Sequence, residues 1–240
     1  NPDPSKRPDP LNQSWGGPGG SEIFGSGIAA LRASGIFPTF SAGNSGSTCG
    51  TLGSPGDNPS AFNVAATTST DTIASFSSRG PNPFTGQTGP NVSAPGNGVR
   101  STYPPNTYAS LSGTSMASPH VAGAVALLIS VEPKLRGRVA ETEELLRKTA
   151  VQLTSAQTCG GVPGSQIPNN AFGWGRIDVK AAADMIYHAG YIQGTVTSGA
   201  TPLAGVTVTY SMLSKTLTTQ TDKNGSYKVL AGAGSWAMTA

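Results

Sequence analysis

Short apolar runs alternate with longer runs of helical period over the first three-quarters of the chain, and a two-residue period takes over in the last quarter. Ile36-Phe37-Pro38-Thr39-Phe40 and Phe62-Asn63-Val64-Ala65-Ala66 have the length and the aromatic content of buried strands. Stretches 21–34, 115–131, 139–149 and 177–188 read as helices. Strands and helices in this order predict an α/β fold with a parallel sheet. In 139–149, Glu143 with Arg147 and Glu144 with Lys148 form i,i+4 pairs for a solvated face, while Val139, Leu145 and Leu146 turn inward. The 115–131 helix is small and apolar nearly all round, which predicts burial beneath the sheet or between layers.

After Gly190 the pattern changes. Thr195, Thr197, Thr207 and Thr209 interleave with Val196, Val206 and Val208, and Lys223-Asn224-Gly225 marks a hairpin turn. This predicts an all-β sandwich domain over 190–240, too short to be whole, after an α/β domain over 1–189. The opening, Asn1-Pro2-Asp3-Pro4, has neither an initiator Met nor an apolar signal core, so the chain reads as an internal piece of a longer protein.

Composition narrows the function classes. Charged residues make up 11% of the 240, against about 25% in an ordinary soluble domain. The 15 Lys and Arg against 12 Asp and Glu leave a formal charge of +3, scattered from Lys6 to Lys228. Such scatter argues against nucleic acid and polybasic membrane binding. No unbroken apolar run approaches the roughly 18 residues of a membrane span. Cys49 and Cys159 lack a redox or zinc spacing. They can pair with each other across 159 − 49 = 110 residues, stay as thiols, or bond to partners elsewhere. Low charge and abundant Ser, Thr and Gly suit an extracellular setting.

The richest chemical signal is Leu111-Ser112-Gly113-Thr114-Ser115-Met116-Ala117-Ser118-Pro119-His120-Val121-Ala122-Gly123. A serine becomes a nucleophile when it is held beside a base and beside donors for the developing oxyanion. Here Gly113-Thr114 delivers Ser115 to the first turn of the helix, where its backbone N–H has no intrahelical partner. Taken alone, Gly-Thr-Ser reads as an ordinary helix N-cap. The whole string, however, resembles the nucleophile segment of the subtilisin-like serine proteases, the subtilases of peptidase family S8.

Further segments resemble the same family in its order, over roughly residues 10–188. Ala42-Gly43-Asn44 follows an apolar strand, and the resemblance makes Asn44 the side-chain donor of the oxyanion hole, with Ala42 and Gly43 beside the substrate. Ser14-Trp15-Gly16-Gly17-Pro18 resembles the edge strand that pairs with an extended substrate and then walls its pocket; Gly16 and Gly17 would let a second backbone come close. Ser77-Ser78-Arg79-Gly80-Pro81, Val92-Ser93-Ala94-Pro95-Gly96 and Gly173-Trp174-Gly175-Arg176 also fit, with Asn91 standing where the family usually has Asp. The resemblance implies a three-layer subtilisin-like fold, present in part, a polypeptide substrate, secretion, and no cofactor for the chemistry. Structural calcium is common in the family, yet no ligand set in this sequence matches it.

The family's triad runs Asp, His, Ser, and its Asp-Ser/Thr-Gly and His-Gly-Thr-His stretches do not occur here. His120 follows Ser115 by five residues on one helix, about 140° round and roughly 7.5 Å along, out of reach as a base. His188 ends a helix, and Asp57 and Asp71 fall in turn-rich stretches with no histidine to orient. An α/β-hydrolase reading with Ser115, Asp178 and His188 fails, because Ala117 replaces the second Gly of the nucleophile elbow and the last two residues lie about 15 Å apart along a helix. The sequence therefore predicts the C-terminal part of a serine endopeptidase domain, its Asp and His supplied by a missing N-terminal half, and inactive alone. The alternative is a secreted binding or adhesion protein on a protease-like scaffold. The segments around Gly194-Thr195-Val196 and Thr221-Asp222-Lys223-Asn224-Gly225 resemble carboxypeptidase-regulatory-like β-sandwich modules.

Overall fold

Because Phe37–Ser41 and Phe62–Thr67 are buried along their whole length, they form the middle of a sheet covered on both faces. The computed structural model describes residues 6–212, 215–232 and 237–240. It divides into two compact units, Asn1–Ala182 and Ala183–Ala240. In the first, β1 (Pro10–Gln13), β2 (Phe37–Ser41), β3 (Phe62–Thr67) and β4 (Val92–Pro95) lie side by side in that order, all parallel.

Side chains alternate across a strand, so neighbouring residues of β2 report the two layers. Phe40 packs with Ile28 of α1 (Gly25–Ala33) and with Ala61. Thr39, on the opposite face, accepts a hydrogen bond at 3.0 Å from Ser118 of α2 (Thr114–Val131). Helix, sheet and helix thus make three layers, the α/β arrangement expected of a subtilisin-like fold. Asn63 and Asn91 lock β3 to β4 by exchanging side-chain oxygens for main-chain N–H groups, at 2.7 and 2.8 Å. That is the role Asn91 fills in place of the family's Asp.

Two expectations need correction here. First, α2 is buried on one face only: Val121, Val125 and Leu128 are sealed against the sheet, while His120, Gly123 and Leu127 are exposed, Leu127 by 59%. Of the two placements its composition allows, beneath the sheet or between layers, the structure shows the first, with the outer face uncovered among the described residues. It is long and apolar enough to cross a membrane by length and composition, but its packed face makes it a core helix. Second, Glu143 of α3 (Val139–Lys148) is not on a solvated face. It is buried, paired with Arg32 of α1 and with Arg147 at 3.6 Å, whereas the Glu144–Lys148 pair lies nearer solvent. Val139, Leu145 and Leu146 do face inward. Arg79 is buried too, with its guanidinium donating to the carbonyls of Ala74 and Ser77; burial lowers its pKa.

The antiparallel ribbon β5 (Val99–Tyr103) and β6 (Thr107–Leu111) leads into α2, and α4 (Val179–His188) contains the junction between the units. In the second unit β7 (Ala189–Thr195) pairs with β12 (Ser226–Gly232). A short pair, β8 (Thr197–Ser198) and β9 (Thr201–Pro202), follows β7. β10 (Thr207–Met212) pairs with β11 (Lys215–Gln220) and β13 (Ala237–Thr239). Val208, Tyr210 and Val229 form the cluster the two sheets share, flanked by Ile192, Val196 and Leu217. The Lys223-Asn224-Gly225 turn is not a hairpin. It carries the chain from β11 in one sheet to β12 in the other, fastened by Asp222, whose carboxylate accepts the N–H groups of Asn224 and Ser226.

Cys49 and Cys159 are bonded, with Cα atoms 5.3 Å apart, closing 110 residues. In a chain-entropy treatment a loop of that size contributes on the order of 4–5 kcal/mol. Replacing both cysteines by serine should lower unfolding stability by up to that amount, measured by denaturant titration. An unchanged midpoint would show that the bond is dispensable.

Candidate active site

Ser115 is the second residue of α2, and Gly113 rather than Ser115 occupies the N-cap position. The hydroxyl is therefore not spent on capping; it donates at 3.3 Å to the Ser14 carbonyl, just past the last paired residue of β1. In return the Ser14 hydroxyl donates to the Ser115 carbonyl at 2.7 Å. The main-chain N–H of Ser115 lies in the first turn, where helix geometry leaves such donors without an intrahelical acceptor.

Asn44 leaves the C-terminal end of β2 on a loop fixed from three sides. Below it, the Ser78 N–H donates to the Gly43 carbonyl at 2.9 Å and the Ser45 N–H to the Ser78 hydroxyl at 3.1 Å. Across from it, the Thr114 N–H and hydroxyl both donate to Asn44 Oδ1, at 2.8 and 2.9 Å. Two donors on one atom fix the amide orientation and leave Nδ2 as the outward donor. The Thr114 hydroxyl accepts the Gly43 N–H at 3.2 Å, closing the clamp. Asn44 Nδ2 and Ser115 N each lie 3.6 Å from the point where a Cβ on Gly113 would stand. The two candidate oxyanion donors thus border one small space beside the serine.

Gly96, at the end of β4, sets the height of this assembly. Its carbonyl accepts the Gly113 N–H at 2.8 Å, and a Cβ there would fall 2.5 Å from that of Ala66 and 2.8 Å from the Gly113 carbonyl. Only a residue without a side chain lets the nucleophile turn sit so low on the sheet.

A cleft of about 680 Å3 opens beside Ser115 and Asn44. Ser14, Trp15, Gly16, Gly17, Pro18 and Gly43, all named from the sequence, line it. Ala42 does not. It is fully buried behind the cleft, its N–H donating to the Val64 carbonyl and its carbonyl accepting the Gly53 N–H, so it shapes the loop instead of touching the space. Gly16 has a different reason from the expected one: a Cβ there would lie 2.7 Å from the Ser54 carbonyl of the opposite wall in the same chain, whereas Gly17 has open room. Trp15 is half exposed and stacks edge-on against Phe24 at 5.3 Å.

The opposite wall, Gly53 and Ser54, together with Ser41 and Ser45, was not singled out by the sequence, nor was Thr114 as the clamp on Asn44. Small residues in a turn carry little signal of their own; the Gly17 N–H to Ser54 carbonyl bond at 2.9 Å, which joins the walls, spans 37 residues. His120 is exposed and hydrogen-bonds the Met116 carbonyl one turn back at 2.8 Å, away from Ser115. Asp71 pairs with Arg176 at 2.6 Å. The side chain of His188 lies outside the described residues. Among the described residues no three His, Cys, Asp or Glu side chains gather as a metal site.

Known proteins resemble this chain in sequence and fold. The family model described as Subtilase family matches residues 5–175. Bacillopeptidase F of Bacillus subtilis (strain 168) is 38% identical over 192 residues, 78% of this chain and 13% of that protein. Subtilisin DY of Bacillus licheniformis is 41% identical over 177 residues, 73% of this chain and 57% of that protein. Among solved structures, the S41 psychrophilic protease superposes with a TM-score of 0.59 at 30% identity, covering 71% of this chain and 57% of that one. The chain thus spans less than two-thirds of the length of these relatives. With the fold and the matched residues in agreement, the chain belongs to the subtilase family.

Proposed function

We propose that this chain is the C-terminal part of the catalytic domain of a secreted serine endopeptidase. The observation that carries this reading is the nearness of Asn44 Nδ2 and Ser115 N, each 3.6 Å from where a Cβ on Gly113 would stand, beside the Ser115 hydroxyl, which donates to the Ser14 carbonyl. Two fixed donors around one site are what a tetrahedral oxyanion needs, and they cost no reorganisation when charge develops. Ser115 Oγ attacks the scissile carbonyl and forms the new C–O bond. Its proton passes to a histidine supplied by a segment outside this chain, which returns it to the leaving amine as the C–N bond breaks. An aspartate from the same segment fixes that histidine. Extended substrate adds as a strand along Ser14–Gly16, which continue β1 past its pairing with β2.

No cofactor takes part in this chemistry, and structural calcium is assigned to no residue here. The 49–159 disulfide supports an oxidising, extracellular location. We assign the second unit to the carboxypeptidase-regulatory-like β-sandwich modules, on its two antiparallel sheets around Val208 and Val229.

Without its base, the serine is a poor nucleophile. A fluorophosphonate probe should leave Ser115 unlabelled in the 240-residue chain and label it in the full-length protein, read by mass spectrometry. Equal labelling would place a base within this chain and overturn the proposed division of the triad. In the full-length enzyme, Asn44→Ala should lower kcat by about 10²–10³, the magnitude such an amide carries in subtilisin, with KM little changed. Unaltered turnover would remove Asn44 from the oxyanion hole.

A further inference from the structure

No residue lining the cleft carries an ionisable side chain. Directly behind one of them, Ser54, lies Asp57, which is completely buried. Its carboxylate accepts the Ser54 hydroxyl at 2.7 and 2.9 Å and the Gly20 N–H at 2.6 Å. Ser54 in turn accepts the Ser21 N–H at 2.9 Å, so the group ties Ser54 to the segment that follows Pro18. Among the described residues no Lys, Arg or His pairs with Asp57. The other buried acid of this unit, Glu143, has two arginine partners.

Burying a carboxylate is costly, and hydrogen bonds from one N–H and one hydroxyl offset part of that cost without neutralising the charge. A negative group kept in this state one hydroxyl away from a neutral, water-accessible cleft is completed by a cation that enters the cleft. We infer that Asp57 is a specificity-determining residue that makes the cleft select a Lys or Arg side chain on the substrate residue whose carbonyl Ser115 attacks. The placement follows from the lining. A carbonyl held at Asn44 and Ser115, with its backbone along Ser14–Gly16, puts that residue's side chain in the cleft, where Gly53 and Ser54, bonded to Gly17, form part of the wall. The cation meets the Ser54 hydroxyl there, with the Asp57 charge immediately behind it in a partly desolvated setting that screens it weakly.

This inference rests on the protease reading, and the test separates the two. The full-length enzyme is assayed on peptides that differ only at the attacked residue, comparing Lys with norleucine and Arg with citrulline. The wild type should favour each cation in kcat/KM by on the order of tenfold or more, and Asp57→Asn should bring both ratios close to one. The ratio is the readout, because Asp57 also ties the cleft walls together and its loss changes absolute rates. Benzamidine should likewise inhibit the wild type at least about tenfold more strongly than neutral benzamide, a measurement that needs no variant. Preference for the neutral residue, a ratio that survives Asp57→Asn, or equal inhibition by the two compounds would each overturn the assignment of Asp57. Failure to cleave any peptide of the panel would overturn the protease reading itself.

Discussion

The site depends on one clamp: the paired hydrogen bonds from Thr114 to Asn44 Oδ1. They join two pieces of chain separated by 70 residues and do three things together. They fix which face of the Asn44 amide is presented, hold the first turn of α2 against the loop after β2, and bind the Gly43 N–H through the Thr114 hydroxyl. Each bond is individually modest, about 1 kcal/mol net for a neutral pair. Their value is positional, since donors placed a fraction of an ångström out of line stabilise a developing charge poorly.

The sheet makes that clamp possible. In a parallel sheet all strands end at the same edge, and ligand sites form outside those C-terminal ends. Here β1 runs on into Ser14, β2 into Asn44, and β4 into Gly96, which seats Gly113. Four segments far apart in sequence therefore meet without any of them bending far from its strand. The ridge under the site is built in the same way. Buried Ser77 and Ser78 spend their hydroxyls on the N–H groups of Ala66 and Ser45, so the loop bearing Asn44 rests on satisfied polar groups.

What the sequence could disclose was governed by distance along the chain. Ser115 and Asn44 stood out because each lies in a dense local string, glycines and small residues around one reactive group, where neighbours in sequence are neighbours in space. The same held for residues 14–18. Thr114 gave no sign of its second partner, and Ser54 and Asp57 looked like ordinary turn residues, because their meaning lies in bonds to Gly17, Gly20 and Ser21 across the cleft. Ala42 differs in the opposite sense: adjacency to Gly43 and Asn44 suggested contact, but its own side chain is fully buried, between Ser41 and Gly43, which both line the cleft. In the second unit the Asn-Gly pair marked a turn correctly and its consequence wrongly, since a turn's residues specify its dihedral angles and not which sheet the next strand joins.

The two-sided character of α2 is the most informative mismatch. Helices are apolar all round when they are covered all round, and the run from Ala117 to Val131 contains no charged residue. Yet Pro119, His120, Gly123, Ala126, Leu127 and Ser130 face solvent in this chain. Spaced three and four apart, they form one continuous stripe, small along most of its length, of the kind against which another helix or strand can approach closely. The stripe starts one turn from Ser115, on the helix that carries the serine proposed as nucleophile.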